Sequence, residues 1–211
     1  MKNLTEEIPK PLLQINDKPI LERTFNQLPE EIDQVVLVVG WKGDLIKNYF
    51  GDKFGGKNVI YVEQTEVLGT GHALSICKDV VKDKFLILMG DDVVDKKDLE
   101  KCLKHDLSLL VKEADNPYAA VEVNEDGSLK AILESPHNSD SNLVNIGVYA
   151  LDKRFFDYPL VKIPSGEYGL PQTIVSMAKE HKVYIEKASF WLKVNTEEDL
   201  EKAREHFADN F

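Results

Sequence analysis

Apolar residues along this chain fall into two kinds of pattern. "QVVLVVG" (34–40), "NVIYVEQ" (58–64) and "FLILMGDD" (85–92) are short, nearly continuous apolar runs, as expected of strands covered on both faces. Around them, apolar residues recur at helical spacing over 20–28, 44–50 and 70–81. The order strand, helix, strand, helix, strand predicts a parallel α/β sheet with right-handed crossovers. Ligands bind such sheets beyond the carboxyl ends of the strands, where "GWKG", "EQTEVLGTG" and "GDD" fall.

The later half changes character. "YAAVEVNEDGSLKAILES" (118–135) is two alternating runs about Glu125-Asp126-Gly127, which predicts a hairpin. "LVNIGVYAL" (143–151) reads as another strand, "LPQTIVSMAKEH" as a helix, and "KVYIEKASFWLKV" as one bent or two short strands. Thr196, followed by Glu198 and Asp199, matches the capped start of a last helix. The expected fold is therefore α/β and Rossmann-like: a mostly parallel, twisted sheet flanked by helices, with a small antiparallel extension.

Composition narrows the function. The chain has 211 residues, 43% hydrophobic and 30% charged, an ordinary globular balance that fits one domain. It has no apolar run of 18 residues and no charged-then-apolar leader, so no membrane partner is expected. Cys77 and Cys102 are far apart and read as reduced structural thiols of a cytoplasmic protein. The net charge of −11 argues against a general nucleic-acid binder. It leaves a nucleotide substrate open, because Mg²⁺ and a few local donors hold phosphates on an acidic protein.

Four places carry candidate chemistry. Asp91 and Asp92 follow a predicted strand and the permissive Gly90, so one carboxylate should face a ligand, where acids commonly hold Mg²⁺; a helix-capping turn explains them equally well. In "QTEVLGTGHAL" (64–74) a glycine-rich turn feeds a helix start, and Gln64 both donates and accepts, which suits the imide edge of a pyrimidine. A plain turn is the bland reading, and His72 reads more naturally as structural than catalytic. Lys10 lies between Pro9 and Pro11 on a stiffened loop, where it would neutralise phosphate as a point charge. Glu134 and Asn145, on consecutive strands, suit sugar hydroxyls or simply a wet sheet face.

Taken in order, "IPKPLLQINDKPILE", "VVLVVGWKGDLIKNYFGD", "VEQTEVLGTGHAL", "FLILMGDD", "SNLVNIGVYAL", "GEYGLPQTI" and "WLKVNTEEDLEKA" resemble the nucleotidyltransferase family that activates sugar 1-phosphates. "LGTGHA" looks most like the uridylyltransferase domain of the N-acetylglucosamine-1-phosphate enzymes. The resemblance implies one nucleotidyltransferase domain over 1–211, with 1–115 the nucleotide-binding half and 116–211 the sugar-binding half. It implies that Lys10 binds phosphate and that Gln64, with Gly69 and Thr70, reads uracil or thymine. It also implies that Asp91 holds Mg²⁺ and that Glu134, Asn145 and Gly90 meet the sugar. The implied partners are a nucleoside triphosphate and a sugar 1-phosphate, with self-association left open. The implied reaction releases pyrophosphate and a nucleotide sugar.

Three departures qualify that expectation. The family begins with a strand and a Gly-x-Gly-Thr-Arg loop before the Pro-Lys-Pro segment. Here the expectation is a shortened form of a longer protein, about 15 residues having preceded Met1, with the ladder split where the absent strand would lie. Ser135 stands where a Lys commonly meets the sugar phosphate. Lys193 stands where many members carry a second metal-binding acid, whereas others have a carboxamide matching Asn195. Two rival readings follow: a regulatory paralogue that binds nucleotide or sugar without catalysis, and a cytidylyltransferase acting on phosphocholine.

Overall fold

The computed structural model describes residues 5–208. They fold into two compact units that interleave along the chain: residues 5–63, Met89–Lys96 and 190–208 in one, Gln64–Leu88 and Lys97–Ser189 in the other.

In the first unit, strands Gln34–Val39 and Lys57–Glu63 run parallel, Gln34 opposite Asn58 and Val39 opposite Glu63, and Lys53–Phe54 adds a short antiparallel edge. Helices Ile20–Gln27 and Gly43–Phe50 put Leu21, Phe25, Ile46 and Phe50 against Val39 and Val59. Phe25 stacks on Phe50 with ring centroids 4.9 Å apart, an aromatic pair within the favourable separation. A second cluster joins Leu13, Ile15, Ile20, Val93, Val194, Leu200 and Ala203. It seats the antiparallel pair Asp92–Val94 and Trp191–Lys193, in which Lys193 lies opposite Asp92. The last helix, Glu197–Ala208, opens with reciprocal capping. The Asp199 amide donates to Thr196 Oγ1 at 3.0 Å, and the Thr196 amide donates to Asp199 Oδ2 at 2.8 Å, satisfying donors that a helix start otherwise leaves unpaired.

The second unit is built on a six-stranded mixed sheet. Its order is Leu129–Glu134, Ala119–Val123, Leu143–Asp152, Ser108–Glu113 and Tyr184–Lys187, with Lys84–Ile87 also paired to Leu143–Asp152. The hairpin turns at Gly127, and Asp126 Oδ1 accepts from the Ser128 amide and hydroxyl at 3.0 and 2.6 Å. The long strand shifts register between Asn145 and Tyr149. Helix Leu170–Met177 adds Leu170, Ile174 and Met177 to a core with Leu109, Val111, Tyr149 and Leu151. Cys77 and Cys102 are buried and free. Among the described residues, no helix is long and apolar enough to cross a membrane.

The α/β fold matches the sequence expectation, with differences of detail. The parallel ladder of the first half holds two strands, not three: Lys84–Ile87 pairs antiparallel with Tyr149–Asp152. Its apolar Phe85 and Ile87 pack on the second unit's core, and that burial sets its partner. Lys84–Ile87, Ser108–Glu113 and Tyr184–Lys187 still share one direction, because Leu143–Asp152 lies antiparallel to the first two and the third is parallel to the second. Among the described residues, Gln34–Val39 and Lys84–Ile87 each have a ladder partner on one side only. The strand expected over 85–92 stops at Ile87. The Asp92 amide then turns back to the Met89 carbonyl, and the chain resumes as Asp92–Val94 in the other unit's sheet. The helix expected over 70–81 stops at Ser75, after which tighter turns close onto Leu74 and Cys77 carbonyls.

Candidate functional site

Two constellations carry the sequence-predicted residues, one in each unit. The first starts at Lys10. Pro9 and Pro11 set a short 3₁₀ turn, Lys10–Leu12, closed by Leu12 N–H to Pro9 O at 2.8 Å and Leu13 N–H to Lys10 O at 3.0 Å. The turn holds the lysine backbone rigidly while its side chain stays partly exposed. The Lys10 ammonium donates to the Asp91 carboxylate and to Asn195 Oδ1. Three segments far apart in sequence thus converge on one cationic group. The Asn195 amide donates to Asp199 Oδ2 at 2.9 Å, so the helix cap also fixes the residue that reaches Lys10. Gly90 lies beside the same turn: a Cβ built there would come 3.6 Å from Pro11 Cγ.

The neighbouring acids separate by direction. Asp91 reaches Lys10, while Asp92 turns inward, is 9% exposed and accepts from Trp191 Nε1–H at 2.9 Å. The Asp92 backbone carbonyl accepts from Thr24 Oγ1 at 2.9 Å. Burial pushes the Asp92 carboxyl up to about 6, with the Asp91 charge adding to the shift and the indole hydrogen bond opposing it. Desolvation disfavours the charged form. Lys193, opposite Asp92 in the ladder, places its ammonium 6.0 Å from the Trp191 ring centroid; Asn195 is the residue from this segment that meets Lys10.

The second constellation follows the strand Lys57–Glu63. Gln64 Nε2 donates to the Gly69 carbonyl at 3.3 Å and shares a 3.1 Å hydrogen bond with His72 Nδ1. Gly69 has φ +94, and a Cβ there would lie 2.7 Å from the Tyr168 carbonyl oxygen, so both conformation and space require glycine. Thr70 Oγ1 accepts from the Leu170 amide at 3.2 Å, tying the turn to helix Leu170–Met177. The link between Gln64 and His72 was not singled out from the sequence. The only signal for it was that both flank one glycine-rich turn.

The residues matched to a sugar differ in availability. Glu134 is exposed and accepts from Gln172 Nε2 at 2.9 Å. Asn145 is buried, with its Nδ2 donating to Tyr149 Oη at 2.7 Å and its Oδ1 accepting from the Gly147 amide at 3.2 Å. Both ends of its amide therefore have partners within the strand. Ser135 lines an open cavity of about 760 Å³ together with Asn116, His137, Asp140 and Asn142.

Lys10, on its fixed turn, thus donates to a carboxylate and to an amide oxygen at one point of a Rossmann-like α/β fold. The chain belongs to the nucleotidyl transferase family, whose model matches residues 1–210. It is 34% identical over 214 residues to the bifunctional protein GlmU of Methanocaldococcus jannaschii, covering 99% of this chain and 52% of that protein. The chain thus spans about half the length of that relative. It is 30% identical over 186 residues to the UTP–glucose-1-phosphate uridylyltransferase AglF of Haloferax volcanii, covering 82% of this chain and 76% of that one. Its fold matches the UTP-bound UGPase of Acinetobacter baumannii at a TM-score of 0.82 and 21% identity, covering 97% of this chain and 87% of the other.

Proposed function

We propose that this chain transfers a nucleotidyl group from UTP or dTTP to a sugar 1-phosphate, releasing pyrophosphate and a nucleotide sugar. The observation that carries this reading is the convergence of Lys10, Asp91 and Asn195. The uridylyltransferase among the relatives supports the substrate class.

In the proposed reaction an oxygen of the sugar phosphate attacks the α-phosphorus in line. The bond from that phosphorus to the pyrophosphate oxygen breaks, and pyrophosphate leaves with the electron pair. Little covalent work falls to the protein, so its contribution is positioning and charge compensation. The Lys10 ammonium, on its fixed turn, supplies positive charge to the phosphates. Gln64 reads the base and Glu134 accepts from sugar hydroxyls.

The donor set fits Mg²⁺. No group of three or more His, Cys, Asp or Glu among the described residues is arranged to hold a metal, but Mg²⁺ ordinarily takes one or two carboxylates and completes its shell with water and substrate phosphates. Asp91 and Asn195 offer a carboxylate and an amide oxygen directed at one cationic group. Bound there, Mg²⁺ would offset charge on the phosphate oxygens.

A pyrophosphate-release assay with UTP, dTTP, CTP and GTP against several sugar 1-phosphates tests the reading. The expected result is turnover with UTP or dTTP that Asp91→Asn abolishes. Activity of Asp91→Asn near that of the unmodified chain would place the metal elsewhere. Nucleotide binding without turnover on any sugar phosphate would favour a regulatory role.

A further inference from the structure

The proposed role of Gln64 as base reader leaves open which half of its amide meets the base. The turn answers this. The Gly69 carbonyl oxygen 3.3 Å from Gln64 only accepts hydrogen bonds, so the amide nitrogen must face it. The second hydrogen of that nitrogen points at His72 Nδ1, 3.1 Å away. With both hydrogens engaged, the capacity left on Gln64 is its carbonyl oxygen, an acceptor. His72 therefore accepts at Nδ1 and carries its ring proton on Nε2. The Gly69 carbonyl is itself fixed, since its residue sits at φ +94 with no room for a Cβ against Tyr168.

We propose that His72 is a positioning residue that locks the polarity of the Gln64 amide, so that this site accepts bases presenting a ring N–H and rejects bases presenting a ring lone pair. Uracil, thymine and guanine carry such a hydrogen at N3 or N1; cytosine and adenine carry a lone pair there. The inference rests on Gln64 being the base reader, and it adds a residue that never touches the nucleotide.

The test measures binding of UTP, dTTP, GTP, CTP and ATP by titration calorimetry, for the unmodified chain and for His72→Leu, His72→Asn and Gln64→Ala. Thermal melts confirm that each variant folds. For the unmodified chain, at least one N–H-bearing nucleotide should bind about tenfold or more tighter than CTP, the scale of one paired polar contact. In His72→Leu the amide is free to turn over, and that ratio should fall to about threefold or less, mostly by a gain for CTP. In His72→Asn a side-chain oxygen again accepts near the Nδ1 position, and discrimination should return. A generic structural role for His72 would instead weaken all nucleotides together and leave their ratio unchanged, which overturns the proposal. If Gln64→Ala leaves every affinity unchanged, the base assignment of Gln64 itself fails, whatever His72 does. Absence of nucleotide binding by the unmodified chain overturns both.

Discussion

Replacing Asp92 with Asn should make the protein more stable at neutral and mildly alkaline pH. The carboxyl is raised from 3.8 to about 6, chiefly by burial. A carboxyl that is harder to ionise in the folded state stabilises the fold only while protonated. That contribution is fully present below the unfolded value, shrinks as pH rises, and is gone above the folded value. Moving the carboxyl from 3.8 to about 6 puts the cost of holding Asp92 ionised in the fold at about 3 kcal/mol. Asparagine keeps the shape and an oxygen for the 2.9 Å hydrogen bond from Trp191, and it carries no charge at any pH. The expected gap in favour of Asp92→Asn is up to about 3 kcal/mol at pH 8 and roughly half that at pH 5. Urea unfolding at both pH values, with the slope checked for constancy, reads the gap directly. Other carboxylates lose stability in acid equally in both proteins. One is Asp199, where burial opposes ionisation but is outweighed by hydrogen bonds from the Asn195 and Thr196 amides and the Thr196 hydroxyl. A variant less stable than the parent at pH 8, or a gap that does not change with pH, would refute the argument.

Further consequences follow from the same geometry. Gly69→Ala forces a Cβ to within 2.7 Å of the Tyr168 carbonyl oxygen at φ +94, and should cost about 1–3 kcal/mol in urea unfolding; a loss under a few tenths would show that the turn relaxes freely. Thr196→Ala removes the hydroxyl that accepts from Asp199 N–H and should cost about 1 kcal/mol. If Asn195 is held through this cap, the same variant should also weaken Mg²⁺-dependent turnover, whereas a stability loss with full activity would separate cap from site. Asp98→Ala removes a fully buried carboxylate that accepts from the Ser189 amide and hydroxyl, both at 2.7 Å, and from Lys101. Three hydrogen bonds are lost, but Ser189 is exposed and the Lys101 ammonium keeps access to water, so the change should cost about 1–3 kcal/mol in urea unfolding; a loss under a few tenths would show that the carboxylate adds nothing net.

How much of this was legible in the sequence depended on the range of the forces involved. The hairpin about Glu125-Asp126-Gly127 and the capped start at Thr196 are set by residues two or three apart, and both stand where the pattern put them. The helices over Ile20–Gln27 and Gly43–Phe50 are likewise local periodicities. The pairing of Asp92–Val94 with Trp191–Lys193 joins segments about a hundred residues apart through the surfaces they bury, and no local period encodes it. For that reason "FLILMGDD" read as one strand. Its apolar front joins one unit and its acidic end the other, and nothing in the run itself marks the division between Leu88 and Met89. The amide orientation of Gln64 was hidden for a related reason: it depends on which atom of a turn faces it, and composition does not carry that.

The same long-range pairing explains why Lys193 and Asn195 play different parts. Side chains alternate along a strand, and the Trp191–Lys193 strand puts its third residue opposite Asp92, with its ammonium near the Trp191 ring. Two residues on, the chain has left the ladder and entered the cap of the last helix, where its backbone is bound by Asp199. Asn195 is therefore placed by the cap, not by the strand, and its side chain is free to turn toward Lys10. An acid at position 193 would add negative charge opposite Asp92, whose carboxyl is already difficult to ionise. A lysine there lowers that cost, and an amide at 195 brings an oxygen to the cationic group without adding a second negative charge beside Asp91. The charge balance around the Asp91-Asp92 pair thus favours this arrangement of Lys193 and Asn195 over two additional carboxylates.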